Sequence, residues 1–351
     1  MFIHYFEQRT NLVKTVKPIL KESIQLTDKL VERTDMRILV TGASGFIGSN
    51  LVSELVKKSH EVYCLERYVT GRFVQGNQRK LMTVFGDLRD YFAIRRIVRE
   101  TQPEAVVHLA AISPVSYSYD HPMEVMEANL MGTLNLAEAC LREIHNFKRF
   151  LFAGTSEEYG NQKKPPVDEQ ADLHPNSPYA VSKTAADKYL QYMRDAHEFP
   201  VTILRNFNTY GRKDNTHFVV ERTIVQMLQE KTVKLGDPSP IRDLMYVNDH
   251  VDAYVSCIEN EKAVGQVINF CTGRGVSVGE LVTKISEITS FKGEIVWNSI
   301  PKRPLDIAVL VGDNRKAKQL LGWVPKFKLE DGLKLTVGYW KSKLSNDLNN
   351  I

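Results

Sequence analysis

Tyr179 and Lys183 are the two residues whose types and spacing most directly suggest chemistry. They stand four positions apart in SPYAVSK at 177–183, where Ser177 suits a helix N-cap and Pro178 the first helical position. On a helix, residues at this spacing share one face. A free tyrosine has a pKa of about 10, which a neighbouring ammonium lowers. The spacing therefore predicts a tyrosine that accepts a hydroxyl proton near neutral pH; the alternative is an exposed helix pair.

A second group of polar side chains, Thr155, Ser156 and Glu157, directly follows the apolar run RFLFAG and its glycine. At the carboxyl end of a parallel strand, such residues face the crevice in which α/β proteins bind ligands. Thr155 can orient a substrate hydroxyl there, and burial of Glu157 would raise its pKa so that it exchanges protons near neutrality. The same spacing also fits a loop whose side chains only cap the next turn.

Three glycines, Gly42, Gly45 and Gly48, separate the strand-like run RILVT from a helical pattern. Such a turn lets the backbone approach a pyrophosphate, which the positive end of the helix dipole attracts. The G-x-x-G-x-x-G spacing differs from the G-x-G-x-x-G pattern. Its place after the first strand of an alternating series nevertheless favours dinucleotide binding over a plain strand-to-helix turn.

Acidic residues end the next two predicted strands. Glu66 lies 24 residues after Gly42, where a carboxylate accepts hydrogen bonds from an adenosine ribose and repels a 2′-phosphate. This favours NAD as the cofactor. Arg67 can pair with such a phosphate, so NADP stays open. Asp87 can accept from the adenine amino group or serve only as a turn residue.

These residues can meet only in a fold that places the ends of several strands side by side. The hydrophobic pattern predicts such a fold. Short β-rich runs alternate with longer helical ones from residue 36 to about 205. The predicted strands are 37–41, 61–66, 82–85, 105–109, 149–153 and 201–205, and the predicted helices are 46–58, 90–101, 122–142 and 178–197. This alternation predicts an α/β protein with a Rossmann-type doubly wound parallel sheet.

Beyond Asn206 the alternation breaks into segments punctuated by glycine and proline, which predicts a smaller mixed α/β lobe that binds the substrate. We expect an NAD-binding domain over 36–205, with a returning segment at about 241–272. The substrate-binding lobe then comprises 206–240 and 273–345. Residues 1–35 are an N-terminal extension of unassigned role, either a frayed tail or a functional arm.

Composition excludes several classes of protein. The 351 residues carry 46 basic and 42 acidic side chains without a basic tract, so we expect no nucleic-acid partner. The four cysteines are far apart, which argues against a metal site or a disulfide framework and for buried thiols in a reducing compartment. No apolar run reaches the length of a membrane helix, and no signal peptide is evident. We therefore expect a cytoplasmic protein.

With these residues in view, the chain resembles the extended short-chain dehydrogenase/reductase superfamily, in its nucleotide-sugar epimerase/dehydratase branch. The resemblance covers about residues 36–342. The motifs that carry it are TGASGFIGSNL at 41–51, GDLRD at 86–90, VVHLAA at 106–111, NLMGT at 129–133, TSEEYG at 155–160, SPYAVSK at 177–183, RNFNTYG at 205–211, RDLMYVNDH at 242–250 and RPLDIAVLVGDNRKAKQLLGWVPK at 303–326.

The resemblance implies a bound nicotinamide cofactor, a nucleoside-diphosphate sugar as substrate, and a homodimer whose four-helix interface uses 122–142 and 178–197. Tyr179 and Lys183 would also contact the cofactor. The further cofactor-binding residues expected are Phe46, Ile47, Leu88, Leu109, Ala110 and Ala111, and the expected substrate-binding residues are Ser113, Ser156, Asn208, Arg222, Arg242 and Arg303. Among these, Asn208 and the arginines would hold the diphosphate.

Within the branch, Glu157 makes the chain most similar to the 4,6-dehydratases of GDP-mannose and dTDP-glucose, because simple 4-epimerases typically have no acid at this position. Ser156 resembles the GDP-mannose type, since the dTDP-glucose type has an aspartate there. The implied lyase reaction starts with Tyr179 taking the C4 hydroxyl proton, held by Thr155, while hydride passes from C4 to NAD. Glu157 then takes the C5 proton and protonates the departing C6 hydroxyl. Hydride returns to C6, giving a 4-keto-6-deoxy sugar.

Three alternatives remain beside the dehydratase. A 4-epimerase would use the same first oxidation. A UDP-glucuronate decarboxylase shares Thr-Ser-Glu, but usually carries Arg-Ser/Ala-Phe where this chain has Arg-Asp-Leu at 242–244. A nucleotide-sensing binding module would need no turnover. Glu66 and the glycine turn also depart from the NADP-dependent GDP-mannose enzymes and resemble NAD-type members.

Overall fold

The computed structural model describes residues 35–68 and 80–349. From Arg37 onward, the described residues belong to one compact unit. The N-terminal extension predicted over residues 1–35 lies outside the described residues except for its last position. Within the described part, no helix combines the length and apolar character that crossing a membrane requires.

The strands in these residues are β1 (Arg37–Thr41), β2 (Glu61–Glu66), β3 (Leu81–Phe85), β4 (Ala105–His108), β5 (Arg149–Thr155), β6 (Val201–Asn206), β7 (Asn208–Tyr210), β8 (Thr232–Lys234), β9 (Ile241–Tyr246), β10 (Val267–Phe270), β11 (Gly275–Ser277), β12 (Glu294–Val296) and β13 (Val309–Leu310). The α-helices are α1 (Phe46–Lys57), α2 (Tyr91–Thr101), α3 (Val115–Asp120), α4 (Pro122–Met126), α5 (Gly132–Glu143), α6 (Pro178–His197), α7 (Val219–Gln229), α8 (Val247–Glu259), α9 (Val278–Thr289), α10 (Arg315–Leu321) and α11 (Leu329–Asn349).

The main sheet has seven parallel strands in the order β3-β2-β1-β4-β5-β6-β10. The central strands β1 and β4 are almost wholly buried, as expected for a parallel sheet covered on both faces. The chain order reverses direction between β1 and β4, so a crevice opens at the carboxyl ends of these strands. This is the predicted doubly wound α/β fold.

A smaller sheet is built around β9, which pairs with β7, β11 and β13, and a separate pair joins β8 to β12. The segment at 241–272 therefore divides between the two sheets. Its first strand, β9, belongs to the small sheet, whereas β10 pairs with β6 at the edge of the main sheet.

The six strands predicted from periodicity are present with ends within two residues of the prediction. The helix predicted over 122–142 is interrupted, because a π-helical turn at Glu127–Met131 separates α4 from α5. Asn129 lies in this turn and its side chain accepts from the Ile112 backbone N–H at 2.8 Å and donates to the Ser182 hydroxyl at 3.1 Å. The turn thus ties the loop after β4 to α6, a tertiary contact that apolar periodicity does not record.

Gly48 provides a test of how closely α1 packs on the preceding turn. A Cβ at Gly48 would stand 2.1 Å from the Gly42 carbonyl oxygen, and this backbone cannot yield as a flexible side chain does. We expect Gly48→Ala to destabilise the protein by about 1–3 kcal/mol in urea unfolding. Gly338→Ala on α11, where a Cβ meets nothing within 4 Å, should instead stabilise by up to about 1 kcal/mol. Equal effects would contradict this packing.

Candidate functional site

A cavity of about 620 Å³ lies at the carboxyl ends of the parallel strands. The ends of β1, β2, β5 and β6, the chain after β4 and the start of α1 contribute to its wall. The predicted site residues that line it are Gly42, Gly45, Phe46, Ile47, Gly48, Glu66, Arg67, Asp87, Leu88, Leu109, Ala110, Ala111, Ser113, Thr155, Ser156, Glu157, Tyr179, Lys183 and Asn208. Residues separated by more than a hundred positions thus meet at one crevice.

The glycine turn has the close backbone approach that a dinucleotide site requires. Gly42 has φ 67°, and a Cβ there would stand 2.8 Å from the Ala110 backbone nitrogen. Gly45 is the N-cap of α1, and no side chain of the described residues caps that helix end. The first backbone N–H groups of α1 therefore remain available to an anion, and the space that side chains would fill stays open.

Glu66 and Asp87 flank the glycine turn on the cavity wall. Glu66 accepts hydrogen bonds from the Ser44 backbone N–H at 2.8 Å and from its hydroxyl at 2.6 Å. Asp87 pairs with Arg89, whose Nη2 lies 2.6 Å from Oδ2, and also accepts the Arg89 backbone N–H at 2.9 Å. The hydrogen bond from Arg89 lowers the pKa of Asp87. Asp87 therefore performs the turn role predicted as an alternative while still lining the cavity.

Tyr179 and Lys183 are brought to the cavity by the first turns of α6. Ser177 is the N-cap, and its hydroxyl accepts the Ala180 backbone N–H at 3.1 Å. Lys183 Nζ lies 4.0 Å from the centroid of the Phe152 ring. Burial lowers the pKa of Lys183 to about 8, whereas the carboxylates of Glu158 and Asp187 act to raise it.

The acidity of Tyr179 differs from the prediction. Burial raises the pKa of Tyr179 above its ordinary value, and the hydrogen bond with Thr155 opposes this only in part. The sequence argument considered the nearby ammonium but not the removal of the phenol from water, which disfavours its charged form. In the protein alone, desolvation is the larger effect.

Glu157 is a buried carboxyl group on the cavity wall. Burial raises its pKa, and the charges of Arg303 and Arg242 partly oppose that rise. Its backbone N–H donates to the Thr155 hydroxyl at 3.3 Å, and Glu158 Oε1 accepts the Thr155 backbone N–H at 3.0 Å. The Thr155 side chain also accepts from the Glu158 backbone, which together with the Glu158 carboxyl contact completes a capping box. Thr155 therefore caps the turn, as the alternative interpretation of this segment predicts, and it also lies beside Tyr179.

The three predicted arginines do not line this cavity. Arg222 donates to the His217 carbonyl at 3.0 Å. Arg242 Nη2 and Arg303 Nη2 lie 3.2 Å and 2.5 Å from the same oxygen of Asp306. Asp306 draws Arg242 and Arg303 together near Glu157, whereas Arg222 faces a loop carbonyl. Direct contact of these arginines with a substrate stays a prediction.

Asn206 and Arg212 lie on the cavity wall but were missed from the sequence. The buried side-chain oxygen of Asn206, like that of the predicted Asn208, has no hydrogen-bond partner among the described residues. Arg212 lies over the rings of Phe218 and Phe46, with its guanidinium carbon 3.6 Å and 4.6 Å from the two centroids. Asn206 had a usable signal, since it ends a strand within the RNFN motif. Arg212 had none, because only the tertiary fold brings it to the glycine turn.

Comparisons with known proteins agree with this arrangement. The sequence model of the GDP-mannose 4,6 dehydratase family matches residues 39–336. UDP-glucose 4-epimerase of Mycolicibacterium smegmatis is 33% identical over 317 residues, covering 88% of this chain and 99% of that protein. The crystal structure of UDP-glucose 4-epimerase with UDP-glucose from Thermotoga maritima has a TM-score of 0.81 and 34% identity, covering 88% of this chain and all of that one. The Thermus thermophilus UDP-glucose 4-epimerase complex with NAD has a TM-score of 0.79 and 31% identity, with coverages of 87% and 99%.

The chain belongs to the NAD-dependent nucleotide-sugar epimerase/dehydratase family. The predicted fold and superfamily are thereby confirmed, and the predicted cofactor is the one bound in the Thermus protein. The expectation of a 4,6-dehydratase receives less support, because the similar proteins reported above are named 4-epimerases. The comparisons therefore favour what the sequence suggested as an alternative.

Glu66 allows a test of cofactor choice at this site. Glu66→Gln should weaken NAD binding about 10-fold, since losing a charged hydrogen-bond acceptor costs roughly 1.5 kcal/mol. It should also reduce the preference for NAD over NADP, because the repulsion of a 2′-phosphate is removed. Glu54→Gln, on the exposed face of α1 beside Lys57, removes the same charge and should change neither. Calorimetric titration of cofactor-depleted protein with NAD and with NADP measures both affinities. Equal affinities in the two variants would contradict a role of Glu66 in cofactor binding.

Proposed function

We propose that this protein is an NAD-dependent nucleotide-sugar 4-epimerase. It would oxidise the C4 hydroxyl of a nucleoside-diphosphate hexose to a ketone and reduce it again from the opposite face. The observation that carries the proposal is the placement of Thr155, Tyr179 and Lys183 on the wall of the cavity that the glycine turn also lines. Full-length similarity to UDP-glucose 4-epimerases supports a uridine nucleotide and glucose-type sugar as the substrate.

The proposed roles follow from these positions. Thr155 orients the C4 hydroxyl, and Tyr179 accepts its proton. Lys183, as an ammonium, stabilises the resulting phenolate. NAD, held by the glycine turn and Glu66, supplies the chemistry of taking up hydride from C4 and giving it back. Inversion requires that the ketone present its other face, after which Tyr179 returns the proton to the C4 oxygen.

The substrate diphosphate needs cationic partners. Arg242 and Arg303 are the candidates we retain, because they lie near Glu157 and a diphosphate can replace Asp306 as their shared partner. Asn208 offers a side-chain amide on the cavity wall. Arg222 is not retained, since it faces the His217 carbonyl.

A homodimer is part of the proposal. Met123, Met131 and Val181 expose 71%, 47% and 39% of their surfaces on the segment from α4 through the π-helical turn and on α6. These are the two helical segments that the family resemblance assigns to a four-helix interface. A second copy of the chain would cover these apolar side chains.

A second candidate function is 4,6-dehydration, which one observation favours. Glu157 is buried on the cavity wall with a raised pKa, which suits a group that takes a C5 proton and protonates a leaving hydroxyl. Both reactions begin with the same oxidation at C4. They differ in whether Glu157 takes part in the later steps.

Tyr179→Phe tests the shared first step. We expect hydride transfer to fall by on the order of 10²–10⁴-fold, because the group that accepts the C4 proton is lost. Tyr192→Phe, on the exposed face of the same helix, should retain the wild-type rate. The measurement is the formation of reduced nicotinamide, by absorbance, after mixing the holoenzyme with UDP-glucose. Undiminished transfer in Tyr179→Phe would contradict the proposed base.

Glu157→Gln separates the two candidate functions. For a 4-epimerase, the variant should interconvert UDP-glucose and UDP-galactose within about 10-fold of the wild-type rate, because no carboxyl group acts in that reaction. For a dehydratase, formation of the 4-keto-6-deoxy sugar should fall on the order of 10²–10⁴-fold. NMR of the products identifies which reaction occurs. A wild-type protein that binds these sugars but converts none would favour the nucleotide-sensing module instead.

A further inference from the structure

Lys183, on the cavity wall, is one of four ionisable side chains buried together. Lys183 and Arg205 are each 2% exposed, and Glu158 and Asp187 are fully buried. Two cationic and two carboxyl side chains thus meet away from water, where burial and the charge of Asp187 raise the pKa of Glu158 well above its ordinary value. The proposed function uses only Lys183 of these four residues.

Arg205 holds the two carboxylates in place. Its Nε lies 3.1 Å from Asp187 Oδ2 and 3.5 Å from Glu158 Oε2. Its Nη1 donates to the Tyr159 hydroxyl at 3.1 Å, and that hydroxyl donates to Asn269 Oδ1 at 2.7 Å. Because Arg205 is itself held by Tyr159 and Asn269, the Asp187 carboxylate has a fixed position.

Asp187 and Lys183 lie one helical turn apart on α6, so they project from the same face. Glu158 reaches this region from the turn after β5 and Arg205 from β6. His108 of β4 also faces Lys183, but burial lowers its pKa to about 3, so it is neutral. Tyr179 lies one turn before Lys183 on the same helix and lines the same cavity.

We propose that Asp187 is a positioning residue that keeps Lys183 protonated beside Tyr179. Its carboxylate, anchored by Arg205, supplies a fixed negative charge in a region from which water is excluded. Glu158 acts in the same direction and also accepts the Thr155 backbone N–H at 3.0 Å, so one cluster orients both Thr155 and Lys183. The catalytic consequence rests on the proposed function, whereas the effect on the charge of Lys183 does not.

Asp187→Asn in the holoenzyme tests whether Asp187 keeps Lys183 protonated. The pKa of Lys183 is measured by NMR titration of isotope-labelled lysine, and its signal is assigned as the one missing in Lys183→Met. We expect the pKa of Lys183 to fall by roughly one unit, since an opposite charge is removed. The alkaline limb of the pH–rate profile for hydride transfer should move to lower pH by the same amount, because a neutral lysine no longer stabilises the phenolate. Asp187→Glu should restore both values.

Thr202→Val is the matched control, because it removes a buried hydrogen bond on β6, to the Ala263 carbonyl at 2.8 Å, without changing charge. It should leave the Lys183 titration unmoved. An unchanged Lys183 pKa in folded Asp187→Asn would overturn the proposal. A lowered pKa with an unmoved pH–rate profile would uphold it and contradict the role of Lys183 in the proposed function. If Asp187→Asn does not fold, Glu158→Gln carries the test and should shift the pKa in the same direction.

Discussion

A buried ammonium beside a half-buried phenol at one sheet edge is the constraint on which the rest of the structure depends. Removing Tyr179 and Lys183 from water disfavours the charged form of both, raising the pKa of the phenol and lowering that of the amine. A proton-accepting tyrosine needs the opposite balance. The surroundings must therefore supply charge and hydrogen bonds in fixed positions, and much of the nearby architecture does so.

The parallel sheet meets this need because the carboxyl ends of its strands lie at one edge of the sheet, where the crevice opens. Thr155 ends β5 and hydrogen-bonds with Tyr179. Arg205 lies near the end of β6 and anchors the buried Asp187, and α6 follows β5 and precedes β6 in the chain. The glycine turn after β1 faces the same crevice from the other half of the sheet. A cofactor held there and a sugar held by the second half of the chain would meet at Tyr179.

The sequence predicted the elements whose signals are local. Strand and helix ends, the glycine turn and the Tyr179–Lys183 pair follow from alternation, from turn chemistry and from helical spacing. It did not predict features that exist only through long-range contacts. The π-helical turn around Asn129 forms hydrogen bonds with the loop after β4. Asp306 pairs with both Arg242 and Arg303, and Arg212 reaches Phe46 only in the folded chain. The acidity of Tyr179 was misjudged for a related reason, since burial cannot be measured from spacing.

The central claim is that hydride leaves C4 of a nucleotide-linked hexose and returns within the same bound molecule. The most direct test supplies UDP-glucose carrying deuterium at C4 and locates the label in the product by NMR. The account predicts UDP-galactose with the deuterium retained at C4, and label found at C6 would identify the dehydratase instead. Product whose deuterium has been lost to solvent, or the absence of any product, would contradict the claim.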